Sequence, residues 1–228
     1  MIEHLLELRR RLITVALFFL AAFSVFFYFS ANVFSIVISP LAQLLPSNSG
    51  LIATQITTSL LTPLKLAADL ALLSTLPCGL FHAWRFVAPG LYRNEQRGLS
   101  LTITLSILLF CLGAVFCFYM VLPFILKFFV SAVPVGVQLM PDMAMAVDFI
   151  TRMMLLFGLC FQVPLVCVLL VKTNILDSAT LKKIRPYWIV TAFILGMLLT
   201  PPDVLSQITL AVPLCLLYEL GIFISRYG

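Results

Sequence analysis

Charged residues are scarce in this chain. Only 10% of its 228 residues are Asp, Glu, Lys or Arg, where a soluble domain carries about 25%. So little charge cannot solvate a surface all round, which excludes a soluble globular domain. Histidine is scarcer still: His4 and His82 are the only two, and their spacing is not that of a metal site. No Cys-x-x-Cys occurs. The six cysteines lie in apolar runs and read as small membrane-embedded hydrophobes, not disulfides or metal ligands. No nucleotide loop and no nucleophile–base pair is legible, so neither an enzyme nor a cofactor is expected. There is no internal repeat, low-complexity tract or separate soluble domain, and residues 1–228 read as one unit.

What is abundant is apolar: 62% of the residues are hydrophobic and the mean hydropathy is +1.15. The apolar runs are continuous, which favours helices over the alternating strands of a barrel. At about 20 residues per span the chain has room for about five to seven helices. The pattern predicts an all-α membrane protein with six transmembrane helices over 12–33, 63–87, 98–126, 142–171, 186–199 and 204–221. Pro123 is expected to kink the third helix and Pro213 interrupts the sixth. The segment 34–62 contains Pro40 and no charge at all, as an external loop with short interfacial helices would. Helices five and six are expected to be short. The fifth would cover roughly 20 Å of a hydrocarbon core about 30 Å thick, thinning the bilayer or leaving a polar dent.

The net charge of +5 invites thought of an acidic or nucleic-acid partner, but its distribution points to topology. With N- and C-termini cytoplasmic, Lys65, Lys127 and Arg152 are the only lysines or arginines outside; the other eleven of 14 fall inside. Residues 1–12 read as an amphipathic helix with Leu5, Leu8 and Leu12 on one face, and Glu7 can pair with Arg11 at i, i+4. The plain alternative is a charged flank that only sets orientation. A cleaved signal peptide is not expected, because the apolar run is too long and lacks a small-x-small site. Lys65 and Asp69, one turn apart, are expected to neutralise each other, and Asp148 is expected to pair with Arg152. Gln162 stands beside Pro164, deep in an apolar run, and needs a partner. It either compensates for the proline kink or faces a polar cavity used by a partner helix. Between helices two and three lies the polar turn 86–97, where Glu95 sits between Arg93 and Arg97. An isolated loop glutamate is ordinarily just solvated; the second acid-plus-arginine cluster at Glu7 gives it another reading.

Several of these stretches together resemble one family, the TatC subunit of the twin-arginine protein translocase. They are His4-Leu-Leu-Glu-Leu-Arg-Arg-Arg-Leu12, Phe86-Val-Ala-Pro89 with Leu91-Tyr-Arg-Asn-Glu-Gln-Arg97, and Phe157-Gly158 with Phe161-Gln-Val-Pro164. Further on come Arg185-Pro-Tyr187, Gly196-Met-Leu-Leu-Thr-Pro-Pro-Asp203 with Ser206-Gln207, and Leu217-Tyr-Glu-Leu-Gly221. Each is weak alone; their order and spacing over nearly the whole chain are specific. The resemblance implies a multi-pass protein of the bacterial cytoplasmic (inner) membrane that binds twin-arginine signal peptides of folded cargo. It implies TatA- and TatB-like single-span partners in an oligomeric complex, with no nucleic acid. By motif, Glu7 and Glu95 would form an acidic patch for the two signal arginines, with Leu8, Arg9, Arg11, Phe86 and Tyr92 shaping that surface. Gln162 would lie in a concave face, where some relatives carry glutamate. Asp203 and Gln207 would meet a partner helix.

The chemistry agrees with that implication, because guanidinium pairs with carboxylate by bidentate charge-assisted bonds that lysine cannot copy. A solute transporter would instead require ionisable residues at mid-membrane and a structural repeat, and neither is legible. A purely structural scaffold would tolerate substitution of either acid without loss of ligand binding.

Overall fold

The computed structural model describes residues 2–45, 50–91, 96–134, 137–173, 175–199 and 204–227. Long apolar runs become helices because, out of water, a helix is the one local structure that satisfies every backbone donor and acceptor. In chain order these are α1 (Ile2–Tyr28), α2 (Ser30–Ala42), α3 (Thr58–Leu91), α4 (Gln96–Phe116), a π-turn (Cys117–Val121), α5 (Leu122–Ser131), α6 (Met143–Cys160), α7 (Val163–Lys172), α8 (Ser178–Leu199) and α9 (Val204–Tyr227). The only pairing outside helices among the described residues is an isolated bridge between Ile52 and Asp142.

Five stretches are long and apolar enough to cross a membrane: 6–28, 58–85, 100–131, 143–172 and 206–226. The expected fifth span is α8. It is a 22-residue helix that starts at Ser178 rather than at 186, with polar first turns from Ser178 to Arg185, and it is not among the five stretches above. The sixth helix corrects the expectation. α9 runs 24 residues to Tyr227, or about 36 Å at 1.5 Å per residue, and is long enough to span. Pro213 lies inside it without ending it. The amphipathic N-terminal segment and the first span are one helix, α1, and the uncharged loop does hold a short helix, α2, with Pro40 inside.

The two helix-breaking signals were legible, but their forms were not. Before Pro123 the chain widens into the π-turn, and the amide of Leu122 reaches the carbonyl of Cys117. A π-turn inserts one residue per turn without breaking the helix. Before Pro164 the helix breaks at Phe161 and Gln162, so the fourth span is α6 plus α7.

The core is built around Leu66 of α3, Leu122 and Ile125 of α5, Val147, Ile150, Met153 and Phe157 of α6, and Leu210 and Leu214 of α9. Small residues let the backbones approach, the usual device where lipid is as apolar as leucine. A methyl at Gly158 would stand 2.7 Å from the ring of Phe110, and one at Gly113 would stand 2.7 Å from the carbonyl oxygen of Phe157. A second cluster of Cys167, Leu181, Tyr218 and Ile222 ties α7, α8 and α9 together. The apolar core of α1 buries none of its residues. This helix lies at the edge of the bundle, against α3.

Candidate functional site

At one end of the bundle α1 packs on the last turns of α3. Glu7 and Arg11, one turn apart, form an ion pair. Nη1 of Arg11 also donates to the backbone carbonyl of His82 at 2.7 Å. The guanidinium thereby fastens α1 to α3 while holding the carboxylate. The two partners differ in exposure: the Arg11 side chain is 19% exposed and that of Glu7 48%. The acid, not the base, therefore faces outward. Leu8 and Arg9 are exposed on the neighbouring turn. Glu95 and Tyr92 lie outside the described residues, as do Asp203 and the side chain of Phe86.

Gln162 is 7% exposed and turned inward. Its Nε2 donates to the carbonyl of Ser106 at 2.8 Å, and its Oε1 accepts from the Ser106 hydroxyl at 2.7 Å. The same hydroxyl accepts from Nε1 of Trp84 at 2.9 Å. Trp84, Ser106 and Gln162 are thus a polar strut joining α3, α4 and the α6–α7 break. Of the two readings of Gln162, neither describes this contact: the amide satisfies α4, not the carbonyl freed by Pro164. Its partner could not be read from sequence, because Ser106 lies 56 positions away.

At the opposite end the expected Lys65–Asp69 pair is not formed. Lys65 meets Asp148 at 2.7 Å, and Arg152 meets the other oxygen of Asp148 at 2.7 Å, as expected for the i, i+4 pair. Asp69 instead accepts from Thr151 at 2.9 Å. The physical reason is that α6 brings a carboxylate across from α3, and two cations share it. Asp142 closes the loop above. One oxygen caps α6 through the amides of Ala144 and Met145. The other accepts from the amide and hydroxyl of Thr54. These bonds, the Thr54 hydroxyl foremost, hold its pKa down at about 2.

Between α8 and α9, Gln207 donates to the carbonyl of Phe193 at 3.0 Å. Three further contacts there carried no role in the sequence reading. Nη2 of Arg185 donates to Glu219 at 2.8 Å, with Nε 2.6 Å from the second carboxylate oxygen as a charge contact. The Tyr218 hydroxyl donates to Leu181 at 2.8 Å, and the Tyr218 ring stacks on Trp188. The signal was present in Arg185-Pro-Tyr187 and Leu217-Tyr-Glu-Leu-Gly221, but nothing in either stretch says that the two meet.

These features define a class. The chain is an all-helical, multi-span membrane protein in which the buried amide of Gln162 is satisfied within the bundle by Ser106. The family model of the Sec-independent protein translocase protein (TatC) matches residues 3–213. The TatC protein of Haemophilus influenzae is 41% identical over 227 residues, covering 100% of this chain and 89% of that one. That of Escherichia coli K12 is 39% identical, covering 100% and 88%. The crystal structure of a twin-arginine translocase receptor, TatC, superimposes with a TM-score of 0.88 at 35% identity, covering 98% of each chain. The chain belongs to the TatC family of Sec-independent protein translocases. It is a translocase component, not an enzyme, and a bacterial multi-pass membrane protein.

Proposed function

We propose that this chain is the receptor that binds twin-arginine signal peptides at Glu7 and Glu95, with Leu8, Arg9, Arg11, Phe86 and Tyr92 shaping the surface. The observation that carries the reading is the inverted exposure of the Glu7–Arg11 pair. Arg11 is committed to the His82 carbonyl, which leaves an outward carboxylate that an incoming guanidinium can share. The bundle has six transmembrane helices with both termini cytoplasmic, so this end faces the compartment where cargo folds. Asp203 and Gln207, near the outer turn of α8 and α9, are where TatA- or TatB-like single-span helices dock to build the oligomeric complex. Gln162 supports that assembly from within, as the strut under the concave face.

The test is binding of an Arg-Arg peptide to the purified chain, with Lys-Lys as control. Glu7→Ala and Glu95→Ala are each expected to weaken binding by about 1–3 kcal/mol, without loss of folding, since truncating a surface acid costs little stability. Glu95→Lys weakens it further, because repulsion joins the lost contact. Unchanged affinity in a folded Glu95→Lys protein refutes the acidic-patch reading.

A further inference from the structure

Two hydroxyls on the first turns of α3 are buried without a partner. Thr62 is 2% exposed, and its Oγ1 meets no donor or acceptor. Thr58, one turn earlier, is 7% exposed, and its hydroxyl forms no hydrogen bond among the described residues. Burying a hydroxyl unpaired is costly, and two of them on one face of one helix call for an occupant. Both line a cavity of about 360 Å3 between the start of α3, the loop before it and the start of α6, a volume typical of small-ligand sites. Gln55 and Thr57 add an amide and a hydroxyl, and Lys65 adds an ammonium. Leu61, Leu64 and Ala68 line it further along α3. Thr58, Thr62 and Lys65 stand at i, i+4, i+7 and share one face. Leu61, Leu64, Ala68 and Leu72 follow on the adjacent stripe, and the three leucines are exposed.

We propose that this cavity holds the phosphate of a membrane phospholipid, with one acyl chain laid along the leucine stripe of α3. The inference is independent of the signal-peptide reading, because it uses only the place where α3 enters the bilayer. Depth supports it: the apolar span of α3 begins at Thr58, which puts the cavity at headgroup level. From Leu61 to Leu72 the stripe rises about 16 Å, close to the half-thickness, about 15 Å, of a hydrocarbon core. Charge supports it too. Among the described residues Lys65 is the only charged one lining the cavity. Its ammonium has three donors and meets Asp148, whose other oxygen is met by Arg152. Asp69 accepts from Thr151 across the bundle, and Asp142 is spent on Thr54 and the α6 cap; neither lines the cavity. Donors therefore face the opening and no carboxylate does, which suits a phosphodiester. The Thr62 hydroxyl is enclosed, but a staggered turn about χ1 exchanges it with the methyl, so the occupant can recruit it. An apolar transmembrane helix would cover the leucines but bring no spare acceptor for the two hydroxyls.

The experiment uses the full chain in maltoside detergent with phosphatidylglycerol that carries a diazirine on one acyl chain. After irradiation, label on residues 60–72 is counted by peptide mass spectrometry against label on α1, whose apolar core is unburied and serves as the reference. The parent chain is expected to carry about tenfold more label on the α3 stripe, the selectivity of about one hydrogen bond to a charged group. Thr58→Val/Thr62→Val is expected to bring that ratio to within about twofold, because both hydroxyls are gone. In lipid-free detergent the same variant should melt no lower than the parent, since it deletes unpaired hydroxyls; lost labelling is then lost binding and not lost fold. Lys65→Gln is the second variant should the first not fold, and Asp148 keeps Arg152 in it. A ratio that stays near tenfold in a folded variant overturns the proposal, as does a ratio near one in the parent. Equal enrichment with a diacylglycerol carrying the same diazirine also overturns it, because the cavity is then an apolar groove with no use for phosphate. Loss of label on adding excess inorganic phosphate assigns the cavity to the free anion and overturns the lipid assignment.

Discussion

Polar side chains in this protein differ in worth according to what surrounds them. Asp148 holds two cations, but Lys65 and Arg152 are 47% and 61% exposed. Exposed pairs contribute about 0–1 kcal/mol, so Asp148→Asn is expected to lower thermal stability in detergent only slightly. Ser106 is smaller and uncharged, yet fully buried. Ser106→Ala strips a donor from Gln162 and an acceptor from Trp84, each then unsatisfied in an apolar setting. Loss of about 1–3 kcal/mol is expected, and a Ser106→Ala/Gln162→Leu double variant should lose less than the sum of the singles. Asp142 adds a pH dependence. Its folded pKa is depressed, to about 2 from 3.8. Its contribution is therefore full above about pH 4 and is lost as pH falls through about 2. Hydrogen exchange at the amides of Ile52 and Met143, which pair across this loop, should rise over that window. In Asp142→Asn the rise should be absent.

At the scale of helices, glycine has opposite meanings in different places. The α4–α6 contact is made by Gly113 under Phe157 and Phe161 and by Gly158 under Phe110. Gly113→Ala meets a backbone oxygen, which cannot turn aside, whereas Gly158→Ala meets a ring. Overpacking costs about 1–3 kcal/mol, and Gly113→Ala is expected to be the worse of the two in detergent melting. Gly79→Ala meets open space and gains up to about 1 kcal/mol of helix propensity, so it should melt no lower than the parent. The α8–α9 pair is held differently, by the Arg185–Glu219 contact, the Tyr218 hydroxyl and the Trp188–Tyr218 stack. These side chains fix the polar start of α8 to the end of α9.

For the whole molecule the expectation is topological. Cysteine-labelling at Ser49 and Ala132 should report the outside; at Asn94, Ser178 and the C-terminus it should report the cytoplasm. An outside label at Asn94 is incompatible with six spans and cytoplasmic termini. The short apolar half of α8 adds a second measurement: spin labels along 186–199 should meet a polar quencher at depths where labels on α9 do not.

Much of the architecture follows from the chain read alone, because the forces concerned act locally or on composition. Hydropathy marks the spans, proline marks the breaks near Pro123 and Pro164, and i, i+4 geometry pairs Glu7 with Arg11 and Asp148 with Arg152. The sixth helix is expected to stop at 221 but continues to Tyr227, and Pro213 does not end it, because neighbouring helices keep a proline-containing helix continuous inside a bundle. Motif order identifies the family because many weak local constraints were read together. What only the tertiary structure decided is which helix faces which. That choice moved Lys65 from Asp69 to Asp148, gave Gln162 to Ser106, joined Arg185 to Glu219, and opened a cavity beside Thr58 and Thr62. A helix fixes the neighbours of a side chain three and four residues away, but lipid-facing surfaces are alike. The partners across the bundle are chosen by packing of the whole chain.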